Sequence, residues 1–430
     1  MRPLQLRLMA QGEETSKRPA ILFTAFEPSG DDHAAIVIRE LRRRHPDLAM
    51  YAWGGPKMAA AGATIVERTG DDAVMGMPGL KKIREHQKIN ARIADWLDSF
   101  GTSRAELDHR PVLHVPVDSP AANFPICAIA KKRGLKVVHM VAPQLWAWGP
   151  WRVRKLRRLT DLVLCILPFE ETYFAKRNVP AKFIGHPLFD EHLDESRLDA
   201  IGAGFGESSP RVALMPGSRP AEISKNFPLL LESFVRLSAE FPGLRGVVAA
   251  TKPAVEARLH EIARDNRRRL GDWPENLITV HGQTDAVVRW CDLALVVSGT
   301  VTLQIARQLK PMVILYKINP LAYHLVARWV VTTKYFTLPN LLADEEIVPE
   351  FVPHFGGAAP IAKKASALLH EPSRLEAQRR AMRLVLEKFE GLHAGPRAAD
   401  EIERVIGLES DARVREVPRT RTGMPTLLPG

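Results

Sequence analysis

The sequence predicts an α/β protein built from two Rossmann-like, doubly wound domains. Two series of short apolar runs, each run followed by a loop and a helical stretch, support this prediction. The first series begins near residue 20, and the second begins after about residue 205. A polar, turn-rich stretch at 185–204 separates them and marks the linker. The 430 residues are enough for two such domains.

Each apolar run has the length and composition of a parallel strand that is buried on both faces. The predicted strands are Ala20–Phe26, His114–Val117, Lys136–Val141, Leu162–Ile166, Arg211–Met215, Gly246–Ala250, Ile278–Val280 and Leu293–Val297. We therefore predict an N-terminal domain at 19–185 and a C-terminal domain at 186–408. The polar ends predict a mobile leader at 1–18 and a disordered tail at 409–430.

Composition limits the class of protein. The chain is 46% apolar and 25% charged, which is typical of globular proteins. Its three cysteines, Cys127, Cys165 and Cys291, form no CxxC pair, so we expect buried thiols in a reducing compartment. The net charge of +11 indicates an anionic partner, which is nucleic acid, acidic lipid or a phosphorylated substrate. Without an apolar run of about 18 residues or a signal peptide, we expect a cytoplasmic protein with peripheral membrane contact.

Several loops that follow predicted strands carry small, polar or charged residues. Ligands of open α/β sheets bind at the carboxyl ends of the strands. The loop Glu27–Asp31 either binds an anion through backbone N–H groups or caps its helix. Asp118 ends a strand, where its carboxylate is either a general base or a cap of the turn before Pro120.

Two further loops of this kind fall in the second series. In Pro216–Arg219, Gly217 permits close backbone approach, Ser218 offers a hydroxyl and the guanidinium of Arg219 suits phosphate oxygens. Ser298, Gly299 and Thr300 precede a helical stretch, where a diphosphate binds readily. The alternative for both loops is an ordinary turn with a capped helix. Asn340 lies in a third loop, where the residues alone favour a structural role.

An aromatic and basic segment follows the third predicted strand. Its members are Trp146, Trp148, Trp151, Arg152, Arg154 and Lys155. Such a segment suits a membrane interface or a phosphorylated lipid, but it also suits RNA, or core tryptophans beside a solvated helix. No HExxH, GxSxG or Cys/His cluster occurs, so we predict no metal site.

These motifs, in this order, resemble the lipid-A-disaccharide synthase family from about residue 20 to about residue 355. The segments that carry the resemblance are EPSGD, GGPKMAAAG, AVMGM, VDSP, APQLWAW, LCILPFE, VPAKFIGHPL, LMPGSR, VVSGT and LPNLLA. Any one of them alone would be weak, whereas the ordered set is specific.

The resemblance implies a GT-B fold, in which two Rossmann-like domains face each other across a cleft. It implies inverting transfer of 2,3-diacylglucosamine from its UDP derivative to 2,3-diacylglucosamine 1-phosphate, giving the β-1,6-linked disaccharide 1-phosphate and UDP. It implies no cofactor and no catalytic metal. The partners would be the two acylated substrates and, peripherally, an anionic inner membrane rather than nucleic acid; the oligomeric state stays open.

The resemblance also implies roles for single residues. Asp118 would be the base for the acceptor hydroxyl, Arg219 would offset the diphosphate charge, and Asn340 would belong to the active site. The residues implied to bind the nucleotide and diphosphate are Gly217, Ser218, Arg219, Ser298, Gly299, Thr300 and Gln304. The residues implied to face the acceptor or the transferred sugar are Glu27, Ser29, Gly30 and Asp31.

The chain departs from the family pattern near these residues. Gln304 stands where the family usually has a glutamate, and Ala121 and Ala122 replace an Asp-Phe pair. Two alternatives therefore stay open. One is a diverged GT-B enzyme with another acceptor, or with UDP-sugar epimerase or hydrolase activity. The other is a non-catalytic homologue that binds lipid or nucleotide.

Overall fold

The computed structural model describes residues 18–69, 79–102, 109–147, 149–320 and 333–408. The predicted leader and tail lie outside the described residues, apart from Arg18, with which the first strand begins. Within the described ranges the chain forms two parallel β-sheets with helices on both faces. The α/β class predicted from the alternating pattern is confirmed.

The first sheet has seven parallel strands in the order β3-β2-β1-β4-β5-β6-β7. Its strands are β1 (Arg18–Ala25), β2 (Ala49–Gly54), β3 (Thr64–Arg68), β4 (His109–Val117), β5 (Lys136–Met140), β6 (Leu162–Cys165) and β7 (Ala181–Phe183). Alternate residues of β1 supply both faces: Leu22 packs into one core cluster, and Ile21 and Phe23 pack into the other.

The second sheet has six parallel strands in the order β10-β9-β8-β11-β12-β13. Its strands are β8 (Arg211–Met215), β9 (Arg245–Ala250), β10 (Leu277–His281), β11 (Leu293–Val297), β12 (Met312–Lys317) and β13 (Glu350–His354). All eight predicted strands are present. The sequence did not predict five of the strands. Three of them, β3, β7 and β13, are edge strands with few fully buried side chains. The other two are β2 and β12.

Helices cover both faces of each sheet. Those that follow strands of the first sheet are α1 (Pro28–Arg44), α2 (Pro56–Ala60), α3 (Gly79–Thr102), α4 (Pro120–Lys132), α5 (Val153–Leu159) and α6 (Pro168–Ala175). The later ones are α7 (Glu195–Ala203), α8 (Pro220–Glu240), α9 (Pro253–Asp265), α10 (Arg267–Leu270), α11 (Thr284–Trp290), α12 (Val301–Arg307), α13 (Leu338–Ala343), α14 (Ala359–His370), α15 (Pro372–Leu386) and α16 (Ala394–Ile406).

The last helix returns to the first sheet. Ala398 and Ile402 of α16 are fully buried in the same core cluster as Phe23. The guanidinium of Arg44, at the end of α1, donates to the carboxylate of Glu403 over 3.1 Å. The division predicted from the sequence gave all of 186–408 to the second domain, and α16 corrects it. Helical periodicity identifies a buried face but not the sheet against which it packs.

The chain thus crosses between the lobes twice, and the two crossings contact each other. The carboxylate of Asp190, on the first crossing, accepts hydrogen bonds from the backbone N–H groups of Ala394 and Gly395 over 2.8 and 2.7 Å.

All three cysteines are buried and free, as expected. Among the described residues, the structure contains no helix that combines the length and the apolar character needed to traverse a bilayer.

Candidate active site

The sheet topology brings the predicted loops together in pairs. In the first sheet β1 and β4 are neighbours, with Ala25 paired to Val117, so the loops that begin with Phe26 and Asp118 leave the sheet side by side. In the second sheet β8 and β11 are neighbours, with Met215 paired to Val296. Strand order reverses at both places, and this is where ligands of open α/β sheets bind.

An ion pair joins the two pairs of loops across the cleft between the lobes. The guanidinium of Arg219, in the second lobe, donates to a carboxylate oxygen of Glu27, in the first lobe, over 3.3 Å. It also donates to Glu222 in its own lobe over 3.1 Å. The Arg219 side chain is still 54% exposed. The guanidinium therefore lies in the open cleft, where it can change partners.

Asp118 faces the same ion pair. Burial raises the pKa of its carboxyl group, the backbone N–H of Ser119 lowers it, the charge of Glu27 raises it and the charge of Arg219 lowers it. The net effect is a raised pKa. A carboxylate that loses solvation on burial is a stronger proton acceptor than a free one. The structure thus brings together Asp118, Glu27 and Arg219, which the sequence predicted from separate motifs.

The two second-lobe loops are open to solvent. Ser218, Gly299 and Thr300 are exposed, while Gly217 and Ser298 are half-buried. Gly217 has φ of 88°, a left-handed backbone conformation that favours glycine. A Cβ atom added to Gly299 would meet no other atom within 4 Å. Both loops leave room for a ligand to approach their backbone, and Gln304 lies half-buried one turn into α12.

Asn340 corrects one predicted role. Its side chain is fully buried. Nδ2 donates to the carbonyl of Val348 and to the carboxylate of Glu350, each over 2.9 Å, and Oδ1 accepts from the N–H of Val348 over 2.9 Å. The amide is occupied in holding the segment around β13 to α13. Asn340 is a structural residue in this arrangement, because its buried polar atoms are bonded to Val348 and Glu350.

Asp31 corrects another. Its carboxylate is buried and accepts hydrogen bonds from the backbone N–H groups of Gly55, Lys57 and Met58 over 3.0 to 3.1 Å. It therefore caps the N-terminus of α2 and is not free to face an acceptor sugar. A Cβ atom added to Gly55 would lie 2.4 Å from this carboxylate, so the glycine is needed there.

The other predicted acceptor-side residues divide in the same way. Glu27 and Ser29 are half-buried beside the cleft. Gly30 is buried, and a Cβ atom added to it would lie 3.2 Å from the Cβ of Ala25. Gly30 therefore allows α1 to pack closely on β1. Of the four predicted acceptor-side residues, Glu27 and Ser29 are the two whose side chains are accessible to a ligand.

The aromatic and basic segment contains both exposed residues and residues that pack within the protein. Trp151 is 64% exposed, and α5 exposes Arg154, Lys155, Arg157 and Arg158, whereas Arg152 is half-buried. Trp146 is half-buried, and its Nε1–H donates to Glu170 over 2.9 Å. Trp148 lies outside the described residues. Trp151 and α5 thus form the exposed surface, and Trp146 fixes the loop behind it.

Glu170 is a residue that the sequence did not single out. It is fully buried, and burial raises the pKa of its carboxyl group to about 7, against the lowering effect of hydrogen bonds from Trp146, Leu167 and Ile166. Its Oε2 accepts from the N–H groups of Ile166 and Leu167 over 3.2 and 3.0 Å. The sequence signal that could have identified Glu170 was Pro-Phe-Glu directly after a predicted strand.

No group of three or more His, Cys, Asp or Glu side chains in the described ranges is arranged to hold a metal ion.

Known proteins resemble this chain over most of its length. The family model described as lipid-A-disaccharide synthetase matches residues 21–397. The lipid-A-disaccharide synthase of Geobacter sulfurreducens is 32% identical over 398 residues, which are 92% of this chain and 99% of that protein. The enzyme of the same name from Anaeromyxobacter dehalogenans is 36% identical over 391 residues, which are 90% of this chain and 97% of that protein.

Solved structures share the fold at low sequence identity. The UDP-GlcNAc 2-epimerase of Neisseria meningitidis bound to UDP-GlcNAc has a TM-score of 0.59 at 12% identity, covering 91% of this chain and 100% of that one. The calicheamicin glycosyltransferase CalG4 has a TM-score of 0.55 at 16% identity, covering 91% and 99%. The expected GT-B fold is thereby confirmed. Fold, motif order and full-length sequence similarity agree, and the chain belongs to the lipid-A-disaccharide synthase family of hexosyltransferases.

Proposed function

We propose that this chain transfers 2,3-diacylglucosamine from its UDP derivative to the 6-hydroxyl of 2,3-diacylglucosamine 1-phosphate, giving the β-1,6-linked disaccharide 1-phosphate and UDP. One observation supports the proposal beyond family membership. Arg219 of the second lobe bonds to Glu27 of the first lobe, and the charges of both act on the carboxylate of Asp118. A base and an anion-binding group on opposite walls are what an inverting transfer requires.

The transfer proceeds as one displacement at the anomeric carbon. The oxygen of the acceptor 6-hydroxyl forms a bond to C1 of the donor sugar, and the hydroxyl proton passes to the carboxylate of Asp118. The C1–O bond to the β-phosphate breaks on the opposite face, and its electron pair leaves with UDP. The configuration at C1 is thereby inverted. The raised pKa of Asp118 makes its carboxylate a better acceptor of this proton.

The charge of the departing UDP is offset by the second lobe. In this proposal Arg219 exchanges Glu27 for an oxygen of the diphosphate, and Ser218, Gly299 and Thr300 offer hydroxyl and N–H groups nearby. Glu27 and Ser29 contact the acceptor or the transferred sugar. No cofactor is needed, because the UDP-sugar is a substrate, and we propose that no catalytic metal takes part.

The acyl chains require a route to a membrane. Residues 141–147 follow β5 at the same sheet edge as Asp118, and residues 149–152 carry the exposed Trp151 just before the basic helix α5. An exposed tryptophan beside four exposed cations suits an anionic bilayer surface. We propose peripheral attachment to the cytoplasmic side of the inner membrane through Trp151 and α5.

The test of the transfer is a detergent-based assay with the two defined lipids, in which the disaccharide product is measured by mass. The wild-type protein should release UDP only when the monosaccharide phosphate is present. Asp118→Ala should keep its UDP affinity and lose about 10² to 10⁴-fold in kcat. UDP-sugar consumption that is independent of acceptor would instead indicate an epimerase or hydrolase. UDP binding without turnover on any acyl-sugar pair would indicate a non-catalytic homologue.

Membrane attachment is tested by flotation with phosphatidylglycerol-containing vesicles. Trp151→Ala and a charge-reversed variant of Arg154 and Lys155 should each reduce the bound fraction. The matched control is Arg258→Glu, which changes a partly exposed arginine of the second lobe. Equal binding by all of these variants would refute attachment through this surface.

A further inference from the structure

The turn that carries Asp118 has a strained backbone. Asp118 and Ser119 have φ of 51° and 41°, and neither residue is glycine. Two successive side-chain-bearing residues in the left-handed region persist only where surrounding contacts hold them. The turn determines where the carboxylate of Asp118 points, so the groups that hold it bear on the reaction.

Asn123, the fourth residue of α4, holds the Asp118–Ser119 backbone through its side-chain amide. Its Nδ2 donates to the carbonyl of Val117 over 3.1 Å and to the carbonyl of Asp118 itself over 2.7 Å. Both donor hydrogens of the amide are therefore used on the backbone that leads into the turn. The Asn123 side chain is fully buried, so it cannot contact a substrate.

The amide of Asn123 bonds in turn to Thr24, on the neighbouring strand β1. The hydroxyl of Thr24 donates to Oδ1 of Asn123 over 2.7 Å, and its oxygen lies 2.8 Å from Nε2 of His114. Because the hydroxyl has one hydrogen and gives it to Asn123, the hydrogen of the second bond must come from Nε2 of His114. The two carbonyls that accept from Nδ2 fix the orientation of the amide, so its Oδ1 is the end that accepts from Thr24.

His114 is suited to this single orientation. It is fully buried, and burial together with the neighbouring His139 lowers its pKa to about 3, so the ring is neutral at physiological pH. A neutral imidazole has one N–H, and the bond to Thr24 places it on Nε2. The hydrogen bonds therefore run in one direction, from His114 through Thr24 and Asn123 to the carbonyl of Asp118.

We infer that Thr24, His114 and Asn123 form a buried hydrogen-bond relay that positions the Asp118 carboxylate for proton transfer. None of the three touches substrate, so they are positioning residues and not catalytic ones. The inference rests on the proposed function, because it requires Asp118 to be the base. It predicts that breaking the relay lowers the rate of the chemical step while substrate binding is kept.

The experiment compares Thr24→Val, which keeps the shape and removes the hydroxyl, with Thr24→Ser, which keeps the hydroxyl. Thr24→Val should lower kcat about 10- to 100-fold, because a small misplacement of a catalytic group costs this much. Both KM values should stay within about twofold of wild type. Thr24→Ser should restore most of kcat. Water admitted to the relaxed turn would lower the pKa of Asp118, so the acid limb of the kcat profile should move to lower pH in Thr24→Val and not in Thr24→Ser.

A second pair keeps the inference testable if Thr24→Val does not fold. His114→Gln retains a donor near the position of Nε2, whereas His114→Leu removes it. The His114→Leu variant should therefore show the lower kcat and the shifted acid limb of Thr24→Val. The His114→Gln variant should show neither change. Asp118→Ala is measured alongside. If Asp118→Ala is fully active, the proposed function is at fault. If Asp118→Ala is inactive while the hydroxyl-free or donor-free variants match wild type in kcat and acid limb, the relay is refuted.

Discussion

The two walls of the cleft are built on different principles. The first lobe sets its carboxylates on buried polar groups: the turn of Asp118 is held by Asn123, and the buried carboxylates of Glu170 and Asp31 accept hydrogen bonds from backbone and indole N–H groups. The second lobe presents Arg219 and the loop around Gly299 to solvent. One wall is fixed before substrate arrives, and the other is free to adapt.

This difference between the walls fits the two tasks that we propose for them. Proton transfer needs a base held to within a fraction of an ångström, and buried hydrogen bonds supply that precision because leaving any one unmade is costly. Diphosphate binding needs close approach of backbone and a guanidinium that can exchange partners. The exposed pair between Arg219 and Glu27 is weak enough to exchange, since solvent screens pairs of this kind.

On the adaptable wall, the largest expected effect is the loss of Arg219. Arg219→Ala is expected to lower kcat by about 10² to 10³-fold, the usual cost of removing one group that stabilises a developing charge. Arg219→Lys should recover part of the rate, because it restores the charge without the bidentate geometry. Steady-state rates with both lipids test this. The contrast between the walls would fail if Arg219→Ala lowered thermal stability instead of rate.

The fixed wall makes a prediction about pH and stability. The folded-state pKa of Glu170 is raised from its usual 4.5 to about 7, so the folded protein binds this proton more tightly than the unfolded chain does. The stabilisation is therefore complete below pH 4.5 and is lost as the pH rises through 7. Relative to Glu170→Gln, the wild-type free energy of unfolding should fall on the order of 3 kcal/mol over this interval.

Denaturant unfolding at several pH values measures that difference. Glu171→Gln is the matched control, because it neutralises the adjacent carboxylate and leaves Glu170 in place; it should keep the wild-type slope. A Glu170→Gln variant with the same pH dependence as wild type would show that the buried carboxylate does not titrate in this range.

The same contrast explains what could be predicted from the sequence. Strand ends are visible as the boundary between an apolar run and a polar loop, so Asp118 and Arg219 could be placed at the cleft without coordinates. The direction of a side chain within a loop is not visible. Asn340 and Asp31 belong to sequence segments of the same kind as that of Arg219, yet they lie in the first turns of α13 and α1, and their polar atoms turn inward to backbone groups. That choice depends on contacts far apart in sequence, as between Asp31 and Met58.

The buried relay of Thr24, His114 and Asn123 could not be predicted from the sequence, because it too depends on contacts between residues far apart in the chain. Thr24 and His114 lie inside apolar strands, where a polar residue gives no periodic signal of its own. Their pairing follows from the neighbouring positions of β1 and β4, which the sequence does not state. The return of α16 to the first sheet is a further long-range contact of this type.

Two glycines on the adaptable wall separate backbone strain from ligand access. Gly217→Ala forces a side chain into the left-handed region and should cost about 1 kcal/mol of folding stability. Gly299→Ala adds a methyl group to open space and should change stability by less than about 0.5 kcal/mol. Gly299→Ala should instead lower the affinity for UDP, because the added methyl group obstructs the approach of the diphosphate. Paired unfolding and calorimetric titrations test both, and equal destabilisation by the two substitutions would contradict this assignment.

The smallest expected effect lies where the two walls meet. Glu27→Gln removes the charge that competes with the diphosphate for Arg219, so UDP affinity should rise about two- to fivefold, in keeping with the modest strength of exposed ion pairs. The charge of Glu27 also raises the pKa of Asp118, so its loss should move the acid limb of kcat to lower pH. Glu222→Gln is the control, because Glu222 pairs with Arg219 from within the second lobe. It should raise UDP affinity without moving the acid limb, and a shift in both variants would mean that the change reaches Asp118 through Arg219 and not directly from Glu27.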